Sequence, residues 1–574
     1  MASGMLGTAI TGLQAFQRSL ETTSHNISNV NTEGYSRQRV DLATKDEQMI
    51  GVGYLGTGVN VVNITRSYDQ FITTQLRSST AAFGDVDKYS ELASQVDDIV
   101  ADPSVGMEPA IKNFFNAVND ATDDPTSIPA RQVLLSETEI LSSRFDTMNS
   151  RFGEIRDQIN TDMVVMADEI TSFAKEIANL NVQIATAQGQ ANAEQQPNDL
   201  LDKRDTALNQ LAELVDISVV PSNSNMINVF MGKGQILVLD TNANAVITKP
   251  TKFDPSKLDV LIRTPSGTEG IVTNQVTGGA LAGTLRFRDE VLDPAQQKLG
   301  SVAASIAMEF NNIHETGYDL DGVSGDLFFK GQGMGTEVIP VAVSTTNSTG
   351  SSITVMFDKN NIKNIDSSDY MLEVSNGPSY KLTRVSDNSF ITLTDSGGGT
   401  LVATDPATLP GITINSTGLT AGDSFLIRPT FTAASTIEQN ITDTRKVALA
   451  TNKALDSNGV EYDVKGPMPG DNRNGLLLAG LESTQSMLGG TATFQGGYGL
   501  IVSEVGVLTS SAKIATAAQE TLLNNAKDAW GNVSGVNLDE EAAKLIQFQQ
   551  SYQAAAQMIS VSNVLFDSLL GAVN

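Results

Sequence analysis

Cysteine is missing from all 574 residues, so neither disulfides nor thiolate metal sites can hold this chain together. A cysteine-free chain also suits export in an unfolded state, because no crosslink can form on the way. Histidine is nearly as scarce. His25 and His314 are the only two, and neither stands in an H-E-x-x-H or other paired-ligand spacing, which argues against zinc hydrolysis. No G-x-S-x-G or Walker A loop occurs. Basic charge is in deficit: 37 Lys and Arg stand against 66 Asp and Glu, for a net charge of −29 and a pI near 4.4. That balance argues against binding nucleic acid, which needs clustered cations, and against an anionic membrane surface. No apolar run approaches the ~20 residues of a spanning helix. Met1 to Leu20 is amphipathic and lacks the continuous apolar core of a cleavable signal peptide.

Proline is absent from both ends. None of the 17 prolines precedes Pro103 or follows Pro469. Proline breaks helix interiors, so the ends read as reserved for helix and the middle as mixed. A chain of this length holds roughly four domains and can bury a large core.

What the ends contain is a seven-residue rhythm. At the C-terminus Leu538, Leu545, Tyr552, Ile559 and Phe566 recur every seven residues, with Phe548, Ala555, Ser562 and Leu569 three positions later. Asn537 can cap this helix, and Asp539, Glu540 and Glu541 suit the positive end of its dipole. At the N-terminus Leu6, Leu13, Leu20 and Ile27 keep the same spacing, followed by Ala9, Phe16, Thr23 and Val30. Both are a/d seams, with the positions off them mostly polar or small. Such helices close the chain on itself, pack against neighbouring chains, or do both. The heptads alone leave an ordinary packed core helix equally open.

Between the ends the period changes twice. The first helix should stop near Asn29 to Gly34, and 35–40 can extend as a strand. Helical periodicity runs from Asp69 to Val215 with breaks at Pro103, Pro109, Pro125 and Pro129. Within it, Pro129 to Ala187 reads as one helix about 88 Å long at ~1.5 Å per residue. Gln188 to Pro197 turns it back into a helix over 199–215, which makes a long antiparallel hairpin. Period two begins at Ile217, with a hairpin turn at Gly232-Lys233-Gly234. Pro294 to His314 is helical. A second β region runs from about Gly317 to Phe431, where Tyr370, Leu372 and Val374 face Tyr380 and Leu382 across Asn376-Gly377. Helical pattern resumes at about Thr436 and includes Leu476 to Met487 and Tyr498 to Asn532.

Two motifs invite chemistry and fail on context. Gly51, Gly53 and Gly56 match G-x-G-x-x-G, but Val59 to Ile64 after them read as strand, so a turn-rich arm is the better reading. Asp319, Asp321 and Asp326 resemble the first half of a calcium loop without its closing glutamate, against the plainer reading of an Asx-rich turn. Carboxylates are too abundant in this acidic chain to nominate a catalytic pair. Nothing here makes a positive case for an enzyme or a cofactor.

The stretch NISNVNTEGYSRQRV near the start resembles a signature shared by bacterial flagellar rod, hook and hook-associated proteins, and NLDEEAAKLIQFQQSYQAAAQMISVSNVLFDSLL resembles its C-terminal counterpart. Gly279 to Gly322 and Gly422 to Thr430 narrow this to the flagellar hook-associated protein 1 family, of the FlgK type. The resemblance implies an axial structural protein at the hook–filament junction, secreted through the flagellar type III apparatus. Its partners would be other copies of itself in a ring or short helical turn, hook protein below, a second hook-associated junction protein above, and a cytoplasmic export chaperone on the C-terminal helix. Neither nucleic acid nor membrane is among them. Other readings are a different axial subunit, such as hook protein, or a flagellum-carried adhesin or surface enzyme working through the inserted β regions.

The expected fold is α+β and multidomain, with an axial coiled-coil-like core of terminal helices, a long helical-hairpin bundle and inserted mainly-β domains. The expected division places 1–34 and 536–574 in the terminal core, and 35–216, 289–316 and 432–535 in the bundle. It leaves 217–288 as a first β domain and 317–431 as a second. The expected assembly interface comprises Leu6, Leu13, Phe16, Leu20 and Ile27 on the N-terminal helix. On the C-terminal helix, Leu545, Phe548, Tyr552, Ile559, Phe566 and Leu569 are expected to meet both neighbours and chaperone.

Overall fold

The computed structural model describes residues 2–50, 53–102, 106–190, 196–375, 379–404, 408–455, 457–464 and 468–573. Its N-terminal helix α1 (Ala2–Ser28) ends where the Asn/Gly-rich turn was expected. An extended arm follows, made of β1 (Gln38–Thr44), β2 (Gln48–Ile50), β3 (Gly53–Leu55) and β4 (Val59–Arg66). β1 and β4 pair antiparallel with a bulge at Asp41/Leu42, and β2 and β3 form the outer hairpin.

Four helices build the body: α2 (Gln70–Ala101), α3 (Glu108–Asp123), α4 (Ile128–Gln190) and α5 (Asn198–Leu214). Asp69 caps α2, its carboxylate accepting from the N–H groups of Phe71 and Ile72. The helix boundaries fall at Pro109, Pro125, Pro129 and Pro197; Pro103 lies outside the described residues. Pro129 sits in the first turn of α4, where its missing N–H costs nothing. With 63 residues, α4 spans about 94 Å. Its turn into α5 lies partly outside the described residues.

That one helix runs through two cores. Leu141, Phe145, Met148, Phe152 and Ile159 join α3 and the second β region in the first. Met163, Ile170, Ala174 and Ile177 join α5 and the first β region in the second. The first β region holds two antiparallel sheets. One orders β5 (Ile217–Pro221), β6 (Ile227–Met231), β7 (Gln235–Leu239) and β8 (Asn242–Ala243) in sequence. The other places β10 (Leu258–Arg263) between β9 (Ala245–Pro250) and β11 (Glu269–Ile271). Helix returns with α6 (Gly279–Phe287), a single π-helical turn, and α7 (Asp293–His314).

The second β region opens with β12 (Phe329–Lys330) and continues through an eight-stranded antiparallel sheet. Its strands are β13 (Val341–Val343), β14 (Ser352–Phe357), β15 (Tyr370–Val374), β16 (Ser379–Arg384), β17 (Phe390–Asp395), β18 (Thr400–Ala403), β19 (Ile412–Thr417) and β20 (Ser424–Ile427). They lie in the order β13-β20-β15-β16-β17-β18-β19-β14, and a bridge from Ile339 to Val355 nearly closes the sheet into a barrel. The expected facing pairs hold in register, Leu372 opposite Leu382 and Val374 opposite Tyr380. The Asn376-Gly377 turn lies outside the described residues. Val355, Leu372, Leu382, Leu393, Ile414 and Phe425 fill the interior.

The stretch after Thr436 differs from expectation. α8 (Ala433–Thr436) ends there, and among the described residues the chain then passes through β21 (Glu438–Gln439), a short 3-10 turn at Thr444–Lys446, β22 (Lys453–Leu455) and β23 (Glu461–Asp463). β21 pairs with β12. Ile437, Ile441, Val447 and Leu449 are buried, so the chain here runs as a strap under the body. Arg131 fastens that strap: fully buried, it donates to the carbonyls of Pro125, Thr444 and Val447. Burial, opposed by the charge of Asp319 and aided by that of Arg445, pulls its guanidinium down to about 10. Helix then resumes with α9 (Arg473–Gly480), shorter than expected, α10 (Phe494–Ser534) and α11 (Leu538–Val573).

One close approach fixes the barrel to the body. At Gly300 on α7, a β-carbon would run into the carbonyl oxygen of Thr430 just past β20. No side chain fits between them.

Candidate assembly surface

The two ends of the chain lie side by side, α1 against α11. The first turn of α11 is capped as expected, with Asn537 Oδ1 accepting from the Asp539 N–H at 2.9 Å. The deepest contact between the helices is polar. Asn26 Nδ2 donates to Glu541 Oε2 at 2.9 Å and to the Gln38 carbonyl at 2.8 Å. Its Oδ1 accepts from the Tyr35 hydroxyl and the Gln38 N–H. Asn26 therefore has partners for both of its polar atoms while almost fully buried.

Around it the stretch 29–38 becomes a knot. Ser36 N–H donates to Asp202 on α5 at 3.0 Å, and Arg37 donates from its backbone to the Ser534 carbonyl and from its side chain to Glu540. Burial, then the carboxylates of Asp202, Asp199 and Glu541, push the Tyr35 phenol well above its usual range. Gly34, at φ +74°, lies against Thr206, leaving no room for a β-carbon. These contacts give a physical reason for the NTEGYSRQ run: it joins both terminal helices to the body.

The heptad positions differ in how far the contact between α1 and α11 covers them. The face of α1 that is fully covered carries small or polar residues: Ala9, Ala15, Ser19, Thr22, Thr23 and Asn26. On α11 the covered positions are Glu541, Ala555 and Ser562. Leu6, Leu13, Phe16, Leu20 and Ile27 are only half-buried, as are Leu545, Phe548, Tyr552 and Ile559. Phe566 is 54% exposed. The side chain of Leu569 lies outside the described residues. Small side chains let the helices approach closely, and the large ones flank the contact.

Sequence reasoning missed a second apolar set. Ile10 on α1 and Ile546, Met558, Val561, Val564 and Leu565 on α11 lie off the heptads and are exposed, Val564 by 62%. The positions off the seam are thus not all polar or small. An apolar concavity of about 550 Å³ lies beside this contact, lined by Ala9, Phe16, Val59, Ala555 and Met558 among others. The stretch Phe494–Ser568 is long and apolar enough by length and composition to cross a membrane, with a window of mean hydropathy 1.3. Gln547, Gln549, Gln550, Gln553 and Gln557 on that stretch would each be costly in hydrocarbon, where nothing hydrates an amide.

The two rejected motifs also resolve. Gly51 lies outside the described residues; Gly53 and Gly56 stand in and beside the outer hairpin, and β4 follows them where a nucleotide site needs a helix. Asp319 Oδ1 accepts from the N–H groups of Asp321 and Val323, Asp321 pairs with Arg445, and Asp326 Oδ1 accepts from the Leu327 N–H. That is an Asx turn. Among the described residues, no group of three His, Cys, Asp or Glu side chains is placed to hold a metal ion.

Fold and surface together define an elongated multidomain subunit whose paired ends leave apolar side chains uncovered. The chain matches the family described as flagellar hook-associated protein FlgK helical domain over residues 93–329, and flagellar hook-associated protein 1, D2-like domain, over 343–429. Its ends match flagella basal body rod protein over 6–35 and flagellar basal body rod FlgEFG protein C-terminal over 532–572. It is 32% identical to flagellar hook-associated protein 1 of Salmonella typhimurium over 570 residues, covering 99% of each chain. It is 31% identical to the Escherichia coli protein of that name over 572 residues, again with 99% of each covered. Among solved structures, the flagellar hook junction protein FlgK from Burkholderia pseudomallei shares the fold with a TM-score of 0.70 at 24% identity. That match covers 80% of this chain and 100% of that one. The chain belongs to the flagellar hook-associated protein 1 family.

Proposed function

We propose that the chain is a structural, non-catalytic axial subunit of the bacterial flagellum that joins hook to filament and assembles through α1 and α11 after type III export. The observation that supports this most directly is the pairing of the two ends with large apolar side chains left half-covered or bare. A Leu or Phe moved from water into contact contributes roughly 1.5–3 kcal/mol. Neighbouring copies would supply that contact along the whole length of the pair. The interface comprises Leu6, Leu13, Phe16, Leu20 and Ile27 together with Leu545, Phe548, Tyr552, Ile559, Phe566 and Leu569, extended by Ile546, Val561 and Leu565. An export chaperone covers the C-terminal set in the cytoplasm; other copies, hook protein and a second hook-associated protein replace it at the junction.

The matching division of labour assigns 1–34 and 536–574 to the axial core, and 35–216, 289–316 and 432–535 to the bundle. It assigns 217–288 and 317–431 to two outward β domains. Deletion of 538–574 tests the proposal, with hooks and filaments imaged by electron microscopy. Bare hooks with filament protein shed into the medium are expected. Normal filaments growing on those hooks would overturn it.

A further inference from the structure

A second feature lies away from the terminal pair, where β4, α2 and α5 meet. A cavity of about 440 Å³ opens there, and its lining includes Arg39, Arg66, Arg77, Arg204, Tyr68 and Asp205. In a chain of net charge −29 this is an unusual concentration of guanidinium groups.

Three of the four are buried and held in place. Arg66 donates through Nη1 to Asp202 at 3.0 Å and also to Asp205, and its guanidinium lies 4.4 Å from the centre of the Tyr68 ring. Arg77 reaches Asp205 through Nη2 at 2.5 Å and Asn209 through Nε at 3.1 Å. Arg204 has no carboxylate partner among the described residues: its Nη1 donates to Asn181 Oδ1 at 3.1 Å and to the Asn225 carbonyl at 2.8 Å. Its Nε is buried without a partner among the described residues, and the residue is 7% exposed.

Three buried cations therefore stand against the two carboxylates of Asp202 and Asp205, and one N–H has no acceptor among the described residues. A buried charge left short of acceptors is costly, and an oxyanion supplies both the charge and the acceptors. Guanidinium forks match the paired oxygens of a carboxylate or a tetrahedral oxyanion. Burial, together with the positive charges of Arg66 and Arg77, holds the Arg204 guanidinium down to about 10, partly offset by Asp205; an incoming anion would reverse that direction.

We propose that this cavity is an oxyanion-binding site, held by Arg66, Arg77 and Arg204 with Arg39 at its rim. The ligand is a carboxylate or a small inorganic oxyanion. Two sources carry that chemistry: an Asp or Glu side chain of a second copy, which a chain with 66 such residues offers in abundance, and a free anion from solution. The site rests on the geometry of one subunit, so its failure leaves the joining role untouched.

Crystals of the full chain soaked in selenate test the site, because selenium is located by its anomalous scattering. The expected result is a selenium peak within hydrogen-bonding distance of Arg204 and Arg66 or Arg77. That peak should disappear in Arg204→Met and persist in Arg151→Gln, an exposed position on α4 outside the cavity. The wild-type result decides the matter even if Arg204→Met does not fold. No peak in the wild-type cavity, or peaks only at surface lysines, overturns the proposal. Density of the assembled junction separates the sources: a neighbour's carboxylate in the cavity identifies the second copy, and an isolated anion there identifies solution.

Discussion

His314 Nε2 accepts the backbone N–H of Ala448 at 2.8 Å, while Nδ1 lies 2.6 Å from the carbonyl of Asp326. A carbonyl accepts and an amide donates, so the imidazole is neutral with its proton on Nδ1. It is buried between α7 and the strap. Protonating Nε2 would aim a proton at a donor.

The first prediction concerns pH. Burial, with Arg131 acting in the same direction, lowers His314 from 6.5 to about 4, outweighing the Asp326 contacts that favour the cation. A base whose folded pKa is depressed binds fewer protons folded than unfolded in that interval. Stability is therefore full above pH 6.5 and falls as pH drops from 6.5 to 4. The loss is about 3 kcal/mol across the window. Urea unfolding at pH 7 and pH 4.5 should show it in the wild type and not in His314→Gln; equal slopes in both would refute the assignment. Asp293 acts in a lower window. Burial raises it, but Arg156 and Lys257 prevail and hold it near 2, so its contribution is present above 3.8 and lost as pH falls through 2.

The second prediction concerns the terminal knot. Asn26→Leu removes the donor that Glu541 Oε2 uses and leaves that carboxylate buried with Lys544 as its remaining partner. The cost should be about 1–3 kcal/mol. Hydrogen exchange at the first turns of α11 reads it, and Glu541→Gln, which keeps an acceptor for Asn26, should change exchange far less.

Gly300→Ala is the third. The added methyl meets the Thr430 carbonyl, so α7 and the barrel must separate slightly. Overpacking of this kind costs about 1–3 kcal/mol. Calorimetry should show a lower Tm, with the barrel strands β13 and β20 losing exchange protection ahead of α10.

The fourth separates folding from assembly. Ile546→Ser and Val561→Ser alter exposed side chains and should leave the subunit's stability within ~0.5 kcal/mol. Filaments should nevertheless be shed from the hooks of cells carrying both. Phe145→Ala, in a fully buried position on α4, should instead cost about 3–5 kcal/mol in the isolated subunit. Unimpaired filaments in the double variant would place the interface elsewhere.

The helical body was legible in the sequence because proline marks its breaks and α4 repeats its apolar positions over many turns. The barrel's facing pairs were legible too, since period two puts Leu372 and Leu382 on one face. The strap after Thr436 was not. Its Ile437 and Ile441 stand four apart, a spacing that a helix also produces, and only the body above them makes an extended path the better burial. The contact between the two ends of the chain was half legible. Heptads locate both helices, yet Asn26, Tyr35 and Glu541, which tie the ends together, carry no periodic signal. Exposed Ile546 and Val561 acquire meaning only once the covered face is known to be built of alanine and serine.

α4 has a consequence for how load passes through the subunit. Both cores grip the same rod, and after Pro129 its 61 remaining residues contain no proline at which it could fold. A torque applied where the barrel meets α7 reaches the far end of the rod without a hinge to absorb it. The rod's frame meets the paired ends through 29–37, through 535–537 and through the β1–β4 arm, which packs on α1 and is held to α5 by Asn198 donating to the Ile64 carbonyl. The subunit is a stiff strut whose bending is passed to these junctions.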